Sequence, residues 1–296
     1  EMCDSDWSSD VCSSDLREER VRPGRDDKVL TSWNALMIRG MARAGRILGE
    51  PQWVASAERA LGFIRAHLWD GERLLATSKD GHAHLNAYLD DYAFLMDALL
   101  ALLEQRWRGE DMAFCRALAE VVLDHFEDRE NGGFFFTADD HEALIQRPKP
   151  LGDESVPSGN GVAARALLRL GHLLGETRYL DAAERTLKAT WPALERIPYA
   201  HASLLEALEE WLYPPEVIIL RGEGEDLERW RERAGRDFAP GRLVLPIPAS
   251  APDLPPALAD KAPQGDACTA YRCRGFTCSA PATSEEQLEA LLAAAD

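Results

Sequence analysis

Two stretches of this chain repeat one another at a constant offset of 126 residues. Residues 32–61 read SWNALMIRGMARAGRILGEPQWVASAERAL, and residues 158–187 read SGNGVAARALLRLGHLLGETRYLDAAERTL. Ser32 matches Ser158, Asn34 matches Asn160, Gly49-Glu50 matches Gly175-Glu176, and Glu58-Arg59 matches Glu184-Arg185. Each copy predicts a helix, a tight LGE turn and a second helix, because apolar residues recur at helical spacing on both sides of a glycine stop. A third pair lies between the copies, LDDYAFLMDALLALLEQRW followed by DMAFCRALAEVVLDHFE. Two hairpins per 126 residues make a unit of roughly 63, long for a simple helical solenoid.

The two helices of a pair differ in kind. Leu95, Met96, Leu99, Leu100, Leu102 and Leu103 leave no polar stripe, which predicts a helix buried all round. In its partner, Phe114, Leu118, Val121 and Val122 oppose a polar line through Arg116, Glu120 and Asp124, the pattern of a helix covered on one side only. Alternating buried and half-exposed helices require an inner and an outer ring. The expected fold is mainly α, an α/α toroid. The connectors DGERLLATSKDGHAH and ENGGFFFTADDHEALIQ each predict a small β-hairpin standing before an inner helix, hence at one rim. Inner helices open at that rim after DDKVLTSWN, HLNAYLDDY and DESVPSGNG. Ser, Asp and Asn suit a helix start, whose first N–H groups lack partners within the helix.

Both ends of the chain break this pattern. Residues 1–16 contain DWSSDVCSSDL, which has no apolar period and reads as translated sequencing-adapter DNA. They are expected to be a non-native scar, with targeting signals and upstream domains lying beyond it. Without the five acids of that segment the formal charge of −18 becomes −13, still opposed to nucleic acid or an anionic membrane as partner. From Pro214 the period changes: PEVIILRG, EDLERWRERAGRDF and GRLVLPIP predict strand, helix and strand. A proline-rich link, a strand CTAYRCRGFTC and a helix SEEQLEALLAAA follow, so residues 214–296 are expected to form a small α/β subdomain behind a toroid at 17–213. The acids of GEGED would repel a phosphate, against nucleotide binding there. Cys115 reads as a small core residue. Cys268, Cys273 and Cys278 lack metal or redox spacing, and in one extended strand side chains five apart face opposite ways, so free structural thiols in a reducing compartment are expected.

The motifs RPGRDDKVLTSWNALMI, LDDYAFLMDALL, PSGNGVAARALL and TAYRCRGFTCSAP, in this order, resemble the YyaL / spermatogenesis-associated protein 20 family over residues 17–296. The resemblance implies a six-hairpin (α/α)6 toroid similar to N-acylglucosamine 2-epimerases and six-hairpin glycosidases. It also implies a thioredoxin-like domain upstream in the same native chain. A closed ring of six hairpins takes twelve helices. About seven are legible before Pro214, so an open arc with exposed inner-ring surface is expected.

Three functional readings follow. Glycoside hydrolysis needs one protonated and one ionised carboxyl about 5–9.5 Å apart. The rim acids Asp26-Asp27, Asp90-Asp91 and Asp153-Glu154 are candidates, with Asp91 and Glu154 as the expected pair. Trp33 and Tyr92 offer aromatic faces and Asn34, Ser158 and Asn160 offer polar groups to a sugar. Against this, acids in a first helical turn stabilise the helix dipole without chemistry, asparagines cap, and Trp33 belongs by pattern to a core face with Met37, Met41 and Ala44. Sugar epimerisation needs a base near neutral pH, for which His84 before one inner helix and His201 opening another are candidates. The third reading is a non-catalytic module partnering the thioredoxin-like domain. No cofactor, metal or membrane partner is implied, and a cytoplasmic location is expected.

Overall fold

The computed structural model describes residues 20–21, 24, 26–142, 145–265 and 268–293; the segment 1–16 lies outside them. Strand β1 (Val29–Leu30) leads into α1 (Thr31–Leu48), and α2 (Pro51–His67) follows a one-turn reversal. Gly49 makes that reversal in the left-handed region, φ 69°, where a side chain would be strained. The repeat reproduces the device: α5 (Gly159–Leu174) stops at Gly175, φ 70°, before α6 (Thr177–Arg196). Between the copies stand β2 (Leu75–Lys79), β3 (His82–Asn86), α3 (Leu89–Leu103) and α4 (Gly109–Val121), whose last turn widens into a π-helix at Val122–Phe126. After α6 comes α7 (Ala202–Leu212).

Helices α1, α3, α5 and α7 pack side by side in that order, and α2, α4 and α6 lie outside them. The seven helices build the expected arc of an (α/α)6 toroid. Nearly every residue of α3 and α5 is buried, as their unbroken apolar sequence requires. Helices α5 and α7 approach closely because Gly161 has no side chain. A Cβ there would stand 2.3 Å from Ser203 Oγ and 2.7 Å from the Ser203 backbone carbon. Gly161→Ala is therefore expected to cost about 1–3 kcal/mol in urea denaturation. An unchanged midpoint would mean that the two helices part freely.

The outermost inner helices are uncovered on one side. Trp33 is 65% and Met37 61% exposed on α1, and Leu212 and Tyr213 are exposed at the end of α7. Trp33 is thus not in the core. Its apolar face is real, but α1 ends the arc and nothing described packs on it.

The first connector is the expected hairpin, with β1 added as a third antiparallel strand on β2. The second is not a hairpin over its described residues. Gly132 and Gly133 take positive φ, a single bridge joins Glu127 to Phe134, and the Phe134 N–H goes to the Asn160 side chain instead of a partner strand.

The C-terminal part comprises β4 (Glu216–Gly222), α8 (Gly224–Ala234), β5 (Arg242–Pro248), a short α9 (Pro256–Ala259), β6 (Thr269–Arg274), β7 (Thr277–Cys278) and α10 (Glu285–Ala293). The sheet order is β5-β4-β6-β7, with β4 parallel to β5 and antiparallel to β6. Side chains alternate across β4: Val217 and Ile219 join the helical core, while Ile218 and Leu220 pack with Trp230 and Leu288. Both faces are covered, which is why the strand reads as a continuous apolar run. CTAYRCRGFTC is two strands, not one. Gly275 (φ 57°) turns the chain, Cys273 comes opposite Cys278, and the two form a disulfide. The expectation of free thiols holds for buried Cys115 and Cys268 only. No helix among the described residues is long and apolar enough to cross a membrane.

Candidate functional site

The rim acids act first on the scaffold. Asp91 Oδ2 accepts the Tyr88 N–H at 2.9 Å, and its Oδ1 accepts the Ser32 N–H at 2.8 Å in the first turn of α1. Asp153 repeats the arrangement one pair on: Oδ1 accepts the Ser158 N–H at 2.8 Å and Oδ2 the Ser203 N–H at 2.9 Å, joining α5 to α7. Asp90 lies against the Gly159 backbone at the start of α5. Asp91 and Asp153 therefore each tie the open end of one inner helix to the next, whereas the buried Asp90 Oδ1 has no hydrogen-bond partner among the described residues. Burial pushes Asp91 up to about 6 against the bonds from Tyr88 and Ser32, and it pushes Asp90 up to about 6 as well. Asp153 is also partly desolvated, but its bonds to Ser203 and Ser158 prevail and hold it below the ordinary carboxylate value.

The proposed sugar-binding residues are largely spent in the same way. Tyr92 is buried and its hydroxyl accepts the Leu74 N–H at 2.8 Å. Asn160 accepts from the Phe134 N–H at 2.7 Å and donates to the carbonyls of Phe134 and Pro150, both at 3.0 Å. Buried Ser158 donates to the Pro150 carbonyl at 3.2 Å. Asn34, half-buried, donates to the Leu30 carbonyl at 2.8 Å. His84 stands exposed on β3, and Asp27 is exposed ahead of β1. His201 is buried, its Nδ1 at 2.8 Å from the Ile197 carbonyl. Glu154 alone of the expected pair faces open space.

That space is a cavity of about 320 Å³ on the concave side of the arc. Arg39 of α1, Asp97 of α3, Arg165 of α5 and Glu206 of α7 line it, under the loop carrying Asp153 and Glu154. Asp91 is not in its wall. Asp97 is 3% exposed, 2.6 Å from Arg39 Nε and 2.8 Å from Arg165 Nη2. Burial opposes its ionisation, yet Arg165 and Arg39 hold it well below the usual carboxylate range. Its Oδ1 is buried and has no hydrogen-bond partner among the described residues. Arg165 also ion-pairs with Glu206. One turn on, buried Arg169 reaches Glu210 through Nε at 2.9–3.0 Å and the Pro240 carbonyl at 3.2 Å. The wall thus presents fixed donors and acceptors side by side, which suits a polyhydroxylated ligand. None of these charged residues is among the candidates that the rim motifs single out. The repeat carried the signal: at the same offset of 126 residues Arg39 matches Arg165 and Arg43 matches Arg169.

Among the described residues, His125, Asp139 and Asp140 bring ligand atoms within 4.8 Å of one another. That cluster is largely exposed, and Arg73 already ion-pairs with Asp140.

No protein-family model matches the chain. Human spermatogenesis-associated protein 20 is 28% identical to it over 294 residues, 93% of this chain. The chain is a homologue of spermatogenesis-associated protein 20. It spans 37% of the length of that human relative. Among solved structures, a GH76 α-mannanase of Bacteroides thetaiotaomicron superposes with TM-score 0.53 at 11% identity, covering 79% of this chain and 66% of its own. An unsaturated glucuronyl hydrolase specific for heparin superposes with TM-score 0.51 at 16% identity, covering 64% and 61%. The fold is the six-hairpin glycosidase-like toroid.

Proposed function

We propose that the concave cavity binds a carbohydrate and that the protein acts on it by glycoside hydrolase-like acid/base chemistry. The observation that carries this reading is the band of charged side chains, Arg39, Asp97, Arg165 and Glu206, on the inner wall of a toroid whose structural neighbours include an α-mannanase and a glucuronyl hydrolase. Arg39 and Arg165, held in place by buried Asp97, would donate to sugar hydroxyls, and the exposed Glu206 carboxylate beside Arg165 would accept. Glu154, exposed and lining the same cavity, would move the proton. Asp91, with both oxygens held by backbone N–H groups, serves as a helix tie and not as the partner acid. The epimerase reading has less support, since His84 stands on the exposed hairpin and does not line this cavity.

A panel of oligosaccharides, followed by released reducing ends and by solvent deuterium at the carbon next to the carbonyl, separates the two reactions. Glu154→Gln is expected to lower hydrolysis about 100-fold or more with the melting temperature unchanged. Full activity in that variant would remove Glu154 from the chemistry. If no sugar binds or turns over, a binding role toward another domain replaces the catalytic one.

A further inference from the structure

A second and larger cavity, about 530 Å³, opens further along the inner helices, where they meet β4, β5 and β6. Seven arginines and four glutamates line it, the reverse of a chain whose formal charge is −18. Arg39 and Arg43 on α1, and Arg165 and Arg169 on α5, are each four residues apart, so each pair projects from one helix face. Arg242, Arg272 and Arg274 approach from the sheet.

The acids nearby are mostly committed. Glu210 is taken by Arg169. Glu216 is held between Arg242 and Arg272. Glu206 and Asp97 are joined to Arg165, and Asp97 to Arg39 as well. Glu209 is exposed. Arg43 makes no ion pair with any described residue, although it is half-buried in this wall. Burial and then the like charge of Arg39 pull its pKa down to about 10. Gathering guanidiniums away from water is unfavourable until an anion joins them.

We propose that this cavity is a binding site for a small molecule bearing a phosphate monoester. Arginine forks match the oxygens of such a group. Arg43 adds its fork to a wall shared with Arg39 and Arg169, and a phosphate monoester, with three oxygens and about two negative charges at neutral pH, engages several forks better than a single carboxylate does. The volume lies within the 300–1,000 Å³ typical of small-ligand sites, leaving space for a body of sugar size beside the phosphate. The cavity shares Arg39, Arg165 and Glu206 with the sugar site, but its test is independent of the carbohydrate reading, because inorganic phosphate alone is a sufficient probe.

The test is isothermal titration of the whole chain with inorganic phosphate, glucose 6-phosphate, glucuronate and glucose. Both phosphates are expected to bind, and glucuronate at least about tenfold more weakly than glucose 6-phosphate. Arg43→Gln is expected to weaken phosphate binding about tenfold or more while raising the melting temperature of the ligand-free protein, since it removes an unpaired, half-buried cation. A purely structural arginine would give the opposite pair of results, lower stability and unchanged affinity. Arg43→Lys keeps the charge without the fork and should recover part of the affinity. The proposal is overturned if phosphate and glucose 6-phosphate give no binding at millimolar concentration. It is equally overturned if glucuronate binds as tightly as glucose 6-phosphate, or if Arg43→Gln leaves both affinities unchanged. Glucose binding with the phosphates silent would sink this site and leave the sugar reading standing.

Discussion

Arg169→Met is expected to destabilise the protein by about 3–5 kcal/mol, the cost of leaving a buried charge without its partner. Arg169 and Glu210 are both buried, and the guanidinium also supplies the Pro240 carbonyl at 3.2 Å. Removing it strands the Glu210 carboxylate between α5 and α7 and unties the helices from the segment before β5. Burial on its own would make Arg169 easier to deprotonate, but Glu210 beside it drives the pKa the other way, which fixes the charge at every accessible pH. The double variant Arg169→Met with Glu210→Met should recover most of the loss, because two apolar side chains can fill the space the ion pair leaves. Urea denaturation of the wild type, Arg169→Met, Glu210→Met and the double variant gives the coupling directly. If Arg169→Met alone costs less than about 1 kcal/mol, water reaches this pair and the inner wall is softer than its burial suggests.

The same charges show what was legible in the sequence. Helix kind, the order of hairpins and the turn at Gly49 and Gly175 follow from apolar spacing and from a glycine that only a left-handed turn explains. These are local signals, and they sufficed for the toroid. The inner wall was not legible that way, because a single arginine in an apolar helix says nothing about which helix faces it. Only the arc brings Asp97 between Arg39 and Arg165. The second connector misled for a related reason: its aromatic run Phe134 to Phe136 resembles a strand, but the backbone partner of Phe134 is a side chain 26 residues away. In the C-terminal hairpin a single glycine, Gly275, turned what reads as one strand into two and brought Cys273 against Cys278.

Rim acids were singled out for chemistry because open helix ends and catalytic mouths ask for the same residue types, and titration separates the two roles by sign. Asp153→Ala is expected to cost about 2–4 kcal/mol at neutral pH, because it leaves the N–H groups of Ser158 and Ser203 without their charged acceptor. Its folded pKa lies below the unfolded value. The carboxylate therefore contributes above the unfolded pKa, and the contribution fades as pH falls through the folded one. Asp90 behaves in reverse. With a folded pKa of about 6 against 3.8 unfolded, the folded state holds the proton more tightly, so stability is present below 3.8 and is lost as pH rises toward 6. Asp90→Asn should thus stabilise the protein at pH 7.5, by at most about 3 kcal/mol for a shift of about two pH units, and change little at pH 4. Urea midpoints of both variants across that range decide the matter. Opposite signs at neutral pH establish Asp153 as a tie between inner helices and Asp90 as a buried group kept at a cost. No change at Asp90 at either pH would mean that it is ionised and well solvated, and a loss there at pH 7.5 would mean that the fold holds its carboxylate ionised as it holds that of Asp153.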